Sequence, residues 1–228
     1  MSRIREAFSL IKKNIEEVLS LRTDYTSKVD GSYVSKGDLF VQDLLFDFFN
    51  KNAEGYYVIS EEAEVEITPS LMAAGNFIFI DPIDGTENYV SGLREWGVGV
   101  SIYSEGLHNE SGIYLPELDQ VLVSGDRIKR FDSRIVGLSS SLGKEDLINL
   151  PQGYEYRIIG CSMYNMLSVV QGSFKSFENV NGVNCWDLLP GLNLARERGL
   201  DCFVDGKPYE GEPLFPTRKY RVLVRNYE

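Results

Sequence analysis

The 228-residue chain holds a single histidine, His108. An imidazole-centred zinc site or a Ser-His-Asp triad therefore has little to draw on. His108 itself, in the polar stretch Gly106-Leu107-His108-Asn109-Glu110, reads as a surface residue. Cysteine is also scarce. Cys161, Cys185 and Cys202 are odd in number and widely spaced, which matches neither a disulfide framework nor a CxxC metal site. Buried, reduced thiols in a reducing compartment are the expectation. Basic residues are outnumbered: 23 Lys and Arg against 34 Asp and Glu leave a net charge of −11. That balance argues against nucleic-acid binding through phosphate neutralisation. No apolar run approaches the ~20 residues needed to cross a bilayer, and Met1-Ser2-Arg3-Ile4-Arg5-Glu6 lacks the apolar core of a signal peptide. These absences predict a cytoplasmic protein with neither nucleic acid nor membrane as a partner.

What remains is an ordinary globular composition, 43% hydrophobic and 25% charged, which disfavours disorder and fibrous repeats. The length suits one large domain or two closely joined halves. The surplus acid has two readings: a solvated surface that aids solubility, or carboxylates clustered to bind divalent cations.

Ile4, Phe8, Ile11, Ile15, Val18 and Leu19 recur at spacings of three and four, predicting one long amphipathic helix. A second helix follows, with Leu39, Phe40, Leu44, Leu45, Phe48 and Phe49 as core positions and a stop near Gly55. The period then changes to strands: Tyr56 to Ser60, Phe77 to Ile80, Gly97 to Tyr103, Gly112 to Leu115, Gln120 to Ser124 and Arg134 to Leu138. The last third alternates. Strands are expected around Tyr156 to Ile159, Phe174 to Phe177, Cys202 and Tyr220 to Val224, with helices at Ser162 to Gln171 and Trp186 to Arg198. No Pro-rich or Gly/Ser-rich linker separates domains, and a soft internal boundary falls near Ser133. The fold class is mixed α/β, built of layered sheets and helices.

The strongest local signal is Phe77-Ile78-Phe79-Ile80-Asp81-Pro82-Ile83-Asp84-Gly85-Thr86-Glu87-Asn88-Tyr89. An apolar strand runs into Asp81, Pro82 imposes a turn, Asp84 follows, and Gly85-Thr86 open a helix. Two carboxylates at i and i+3 around a tight turn can converge on hard cations, the Ile83 carbonyl is a further oxygen, and free amides at a helix start can receive phosphate. The plain alternative is an Asp-Pro turn with Asp84 as a helix cap. Glu61-Glu62 follow a strand directly, and Asp187 in Asn184-Cys185-Trp186-Asp187 precedes an apolar helix it could simply cap.

Taken together, Glu61-Glu62, Asp81-Pro82-Ile83-Asp84-Gly85-Thr86 and Trp186-Asp187 resemble, in order, the motifs of the inositol monophosphatase family of lithium-sensitive, magnesium-dependent phosphatases. Ser35-Lys36-Gly37-Asp38 resembles the family's Thr-x-x-Asp, Gly160-Cys161-Ser162 its Gly-Ser-Ala, and Asn88-Tyr89 the Asn-Phe of the inositol branch. The resemblance implies an alternating α-β-α-β-α sandwich of the inositol monophosphatase and fructose-1,6-bisphosphatase type, commonly a homodimer. It implies two or three Mg²⁺ ions: Glu61, Asp81 and the Ile83 carbonyl would hold one, and Asp81, Asp84 and Asp187 a second, with a third near Glu61. Thr86 paired with Asp38 would orient or deprotonate the attacking water, and Gly85 and Thr86 would bind phosphate. Gly160, Cys161, Ser162 and Glu178 would contact the substrate. Such a site needs no histidine. The implied activity is hydrolysis of a small polyol or sugar phosphate, inositol monophosphate first. Fructose-1,6-bisphosphate and 3′-phosphoadenosine 5′-phosphate are alternatives, and a non-catalytic regulatory member is the other class. The chain departs from the family pattern at Trp186-Asp187-Leu188-Leu189-Pro190-Gly191, where Pro190 fits best within a first helical turn.

Overall fold

The computed structural model describes residues 2–29, 31–63 and 67–226. The apolar stripe expected as one helix is divided into α1 (Arg3–Lys13) and α2 (Ile15–Ser20). Asn14 breaks it: the side-chain amide donates to the Leu10 carbonyl at 2.8 Å, and the backbone leaves the helical region at ψ 15°. Asparagine competes for backbone partners in this way. A short hairpin, β1 (Tyr25–Ser27) and β2 (Tyr33–Ser35), leads into α3 (Lys36–Asn52).

The first sheet comprises β3 (Tyr57–Ser60), β4 (Phe77–Asp84), β5 (Gly97–Ser104), β6 (Leu107–Leu115) and β7 (Gln120–Val123), with α4 (Pro69–Ala74) and α5 (Thr86–Val90) in its connections. Its strands lie in chain order, β3 parallel to β4 and the rest antiparallel. The second half contains β8 (Ile135–Leu138), α6 (Lys144–Ile148), β9 (Glu155–Ile158), α7 (Ser162–Gln171), β10 (Ser176–Val183), α8 (Cys185–Arg196), β11 (Asp201–Val204), β12 (Lys207–Pro208) and β13 (Tyr220–Arg225). Its sheet runs β12-β11-β13-β10-β8-β9. Neither the hairpin nor α4 and α6 was expected from periodicity; these elements are too short to show one.

Strand β4 is buried along its whole length, and its alternating side chains supply two separate cores. Ile78 and Ile80 pack with Ile4, Phe8, Ile11, Leu45 and Phe49 of α1 and α3. Phe77 and Phe79 face the other way, into a core shared with Met166 and Leu167 of α7, Leu188 and Leu192 of α8, and Phe177, Val222 and Val224 of the second sheet. The layers therefore run helix, sheet, helix, sheet. Both sheets pack on α7 and α8, and the segment 124–134 that contains Ser133 joins the last strand of one to the first strand of the other.

Two prolines depart from expectation. Pro82 does not end β4, which continues to Asp84 through an irregularity: Asp81 pairs with Gly99 but Asp84 with Gly97, one residue out of step. A bulge is where a strand tolerates a residue with no donor. The turn comes instead at Gly85, φ 82°. Pro190 lies inside α8, beyond its first turn. Its ring is buried beside Gly99, where an added Cβ would come within 2.9 Å of Pro190 Cγ.

Candidate metal and phosphate site

Asp81, midway along β4 and just before its irregularity, is fully buried. One side-chain oxygen from each of Glu61, Asp81 and Asp187 lies within 4.8 Å of the others. Among the described residues, neither carboxylate oxygen of Asp81 has a hydrogen-bond donor. The remaining aspartates each commit an oxygen to a helix start. Asp38 Oδ2 accepts from the Ser35 amide at 2.8 Å and the Ser35 hydroxyl at 2.5 Å, forming a capping box for α3. Asp187 Oδ2 accepts from the Asn184 amide at 2.9 Å at the start of α8. Asp84 does not cap the helix that follows it, whose N-cap is Gly85. Its Oδ2 accepts instead from the Met163 amide at 2.5 Å and the Cys161 thiol at 3.0 Å, at the start of α7. The positive ends of three helix dipoles thus meet the acid cluster.

That compensation is incomplete. Burial pushes Asp38 up to about 6, although its Ser35 hydrogen bonds pull the other way. Burial likewise raises Asp84 to about 6 against the Met163 amide. Asp187 rises to about 8 through burial and the charges of Glu61 and Asp84. Asp81 is driven well above the carboxylate range by burial, with Asp187, Glu61 and Asp84 adding repulsion. Buried charges persist only when paired or bound to metal. The cluster of carboxylates, beside the Ile83 carbonyl, is a donor set suited to a hard divalent cation, and the two bare oxygens of Asp81 are where that demand is greatest.

A residue with no sequence signal sits at the edge. Lys28, in the turn between β1 and β2, places Nζ 2.8 Å from Glu61 Oε1 and 2.7 Å from Glu62 Oε1. Burial works to lower its pKa, and the two glutamates more than offset this. Glu62 is itself pushed up to about 7 by burial, against the hydrogen bond from Lys28.

Thr86 Oγ1 lies 3.1 Å from Asp38 Oδ1 and 3.0 Å from the Ile83 carbonyl, and can donate to either. Thr86, Gly85, Ile83, Asp84, Glu61, Lys28 and Asp187 line one cavity of about 350 Å³. Gly85 is required twice over: its φ is 82°, and an added Cβ would stand 3.0 Å from Cys161 Cβ. A second cavity of about 200 Å³ shares Asp84 and Asp187 and is lined by Gly160, Cys161, Ser162, Ser139 and Asn179 among others. Asn88, read from sequence as a branch signal, clamps this wall by donating to the Glu95 and Ile159 carbonyls at 2.7 Å each.

Glu178 is not part of either cavity. Along β10, Phe177 and Asn179 are buried while Glu178 is exposed. Glu178 lines a separate groove of about 540 Å³ on the outward face, with Val136, Leu150 and Leu223. Its buried neighbour Asn179 faces the smaller cavity, donating to Ser139 Oγ at 3.0 Å and accepting from the Gly182 amide at 2.9 Å. His108 also departs from expectation: its side chain is only 11% exposed, and its ring nitrogen Nε2 lies 2.9 Å from Ser111 Oγ.

The sequence model of the inositol monophosphatase family matches residues 1–131. The chain belongs to that family. An inositol-1-monophosphatase of Mesorhizobium japonicum is 25% identical over 214 residues, covering 83% of this chain and 77% of the relative. The Nus factor SuhB of Pasteurella multocida is 25% identical over 228 residues, 89% of this chain and 82% of its own. Among solved structures, the Thermotoga maritima IMPase has a TM-score of 0.78 at 22% identity, covering 98% of this chain and 92% of its own. A staphylococcal inositol monophosphatase, solved as a lithium-soaked inhibitory complex, reaches 0.83 at 16% identity, covering 98% and 88%. At these identities the structural likeness shows the fold, which is the layered α/β architecture of this family.

Proposed function

We propose that the chain is a Mg²⁺-dependent phosphomonoesterase acting on a small polyol or sugar phosphate, with inositol monophosphate the first substrate to test. The observation that carries this reading is the fully buried Asp81, with both oxygens bare, between Glu61 and Asp187. Glu61, Asp81, Asp84, Asp187 and the Ile83 carbonyl would hold two or three ions. Bound there, magnesium would lower the pKa of the attacking water, offset phosphate charge and stabilise the departing alkoxide. The chain's own groups supply the rest. Thr86 Oγ1 would orient the water and take its proton while passing its own to Asp38 Oδ1. The amides of Gly85 and Thr86 would fix the phosphate, and the cavity lined by Gly160, Cys161 and Ser162 would seat the alcohol.

Phosphate release from a panel of polyol, sugar and nucleotide phosphates, with and without Mg²⁺, tests this directly. Release that depends on Mg²⁺ and vanishes in Asp81→Asn is expected; ordinary activity in that variant would sink the assignment. A regulatory reading is supported by relatives named Nus factor SuhB, and absence of Mg²⁺-dependent release across the whole panel would favour it. Lithium sensitivity and a cytoplasmic location belong to the enzyme reading. So does a homodimer, for which the exposed Leu147, Ile148 and Ile158 near edge strand β9 offer an apolar surface.

A further inference from the structure

The smaller cavity, of about 200 Å³, shares Asp84 and Asp187 with the larger one. Much of its remaining lining is neutral and polar, and these groups are tied to one another. Asn179 Nδ2 donates to Ser139 Oγ at 3.0 Å, and Ser139 Oγ lies 2.7 Å from Ser141 Oγ and accepts the Ser141 amide at 3.1 Å. Asn181 Nδ2 secures the Ser141 carbonyl at 2.5 Å. Ser139 and Asn179 are buried. A second feature calls for a ligand. Asn165, 1% exposed, lines the cavity and donates from Nδ2 to the Cys161 carbonyl at 2.7 Å, but its Oδ1 has no donor among the described residues. A buried acceptor left bare is costly, and a ligand hydroxyl is the kind of group that would satisfy it. Among the described residues no Lys, Arg or His lines this cavity. Lys28 and Lys219 line the larger one, and Lys28 is committed to Glu61 and Glu62.

We infer that Ser139, Ser141, Asn165 and Asn179 determine specificity: they take an uncharged, hydroxyl-rich leaving alcohol and turn away one that carries a second phosphate. This rests on the phosphomonoesterase reading and narrows its substrate to a small polyol monophosphate. Hydroxyls and side-chain amides both give and accept hydrogen bonds, so each hydroxyl of a polyol finds a partner among them. A second phosphate would bring a charge of about −1.5 to −2 into a cavity whose ionisable side chains are carboxylates and a buried thiol. The phosphate that is cleaved would use whatever cations Asp84 and Asp187 hold, so the second finds none. A site rejects the wrong ligand as effectively by leaving its charge unpaired as by matching the right one. Size acts in the same direction. About 200 Å³ is less than the roughly 300–1,000 Å³ that encloses a drug-sized ligand, so the cavity suits a small polyol better than a nucleoside. The role that the family resemblance gives to Glu178 thus passes to its inward-facing neighbour Asn179 and to the serines tied to it.

The test uses the full chain with Mg²⁺ and three substrates: inositol 1-phosphate, fructose 1-phosphate and fructose 1,6-bisphosphate. The last two offer the same 1-phosphate bond and differ only in the second phosphate. The monophosphate should have the higher kcat/KM for loss of the 1-phosphate, by roughly 10- to 100-fold. Ser139→Ala and Ser141→Ala should each raise KM for inositol 1-phosphate by about 10-fold while kcat moves less, the pattern of lost ground-state binding. Ser141 is exposed, so its variant reports even if Ser139→Ala folds poorly. Ser141→Lys supplies the missing cation and should narrow the gap between the fructose pair by about 10-fold. Glu178→Gln, on the opposite face, should move neither constant. Wild-type protein that uses the bisphosphate as well as the monophosphate, or a KM that stays in place in both alanine variants, overturns the inference and leaves the phosphatase reading standing. Absence of Mg²⁺-dependent release from all three substrates overturns the two together.

Discussion

Replacing Asp81 by Asn removes an ionisable group without changing the shape of a fully buried side chain, so it should separate stability from metal binding. In the metal-free protein Asp81 is bare on both oxygens and repelled by Asp187, Glu61 and Asp84. Asn leaves its own buried polar atoms unpaired as well, at a cost of about 1–3 kcal/mol, so the relief is the excess that a buried charge costs over that. Relief of about 2–3 kcal/mol, at about 2–4 °C per kcal/mol for a chain of this size, raises the melting temperature of Asp81→Asn by about 4–12 °C in EDTA. Magnesium should tell the two proteins apart. At 100 times its dissociation constant it stabilises the wild type by about 2.7 kcal/mol, closing or reversing that gap, and leaves the variant nearly unmoved. The pH dependence has a definite sign. Carboxylates whose folded pKa is raised favour folding at low pH and lose that contribution as pH rises through the folded values, about 6 for Asp84 and about 8 for Asp187. In EDTA the wild type should therefore lose melting temperature between pH 5 and pH 8, the variant less so. Differential scanning fluorimetry reads all of this. A variant that melts at or below the wild type in EDTA at pH 8, or that keeps the full Mg²⁺ response, refutes the reasoning.

Thr86→Val removes the hydroxyl beside Asp38 and should lower kcat by about 10²- to 10⁴-fold while the Mg²⁺ thermal shift persists; loss of both together would mean that Thr86 is structural. Lys28→Met takes the ammonium from Glu61 and Glu62. The metal-free protein should melt lower and the Mg²⁺ midpoint should shift to lower concentration, whereas a midpoint at higher concentration would show that Lys28 assists the ion. Burial holds His108 below its ordinary pKa, with Glu197 pulling it up and Arg196 adding to the fall. Its contribution is thus present above the unfolded value near 6.5 and is lost as pH falls through the folded one. His108→Gln, which keeps a partner for Ser111, should flatten the decline of melting temperature between pH 7 and pH 5; an unchanged slope assigns that decline to other groups.

Long periodic segments were legible because a period needs several residues to declare itself: α3, β5, α7 and α8 fall close to their expected ranges. The failures share one cause. Asn14, Pro82 and Pro190 each act on a local backbone choice that tertiary packing decides, and the sequence pattern around them does not change. Lys28 was invisible for a different reason. A lysine in a hairpin turn carries no local mark of the glutamates it meets 33 and 34 residues later. Glu178 shows how narrow the margin is. On β10 a one-residue step reverses the face, and with Asn179 turned inward the carboxylate expected in the substrate cavity lies on the opposite side of the sheet.

The acidic motif residues posed a sharper question, since Asp187 reads equally well as a helix cap and as a ligand. The structure removes the opposition, because a carboxylate has two oxygens and capping uses one. Oδ2 of Asp187 accepts the Asn184 amide, yet an Asp187 oxygen also stands within 4.8 Å of oxygens from Glu61 and Asp81. Asp38 divides in the same way between Ser35 and Thr86. Fixing one oxygen to the backbone removes rotamer freedom that the side chain would otherwise have to surrender on binding an ion, so a cap and a ligand are compatible roles for one carboxylate. Two substitutions at Asp187 resolve the roles. Asn retains a carbonyl oxygen to accept the amide and should fold like the wild type while losing the Mg²⁺ response. Ala loses the cap as well and should cost about 0.5–2 kcal/mol more than Asn in EDTA. Equal stability of the two variants would mean that the cap contributes nothing and that Asp187 is retained for the ion alone.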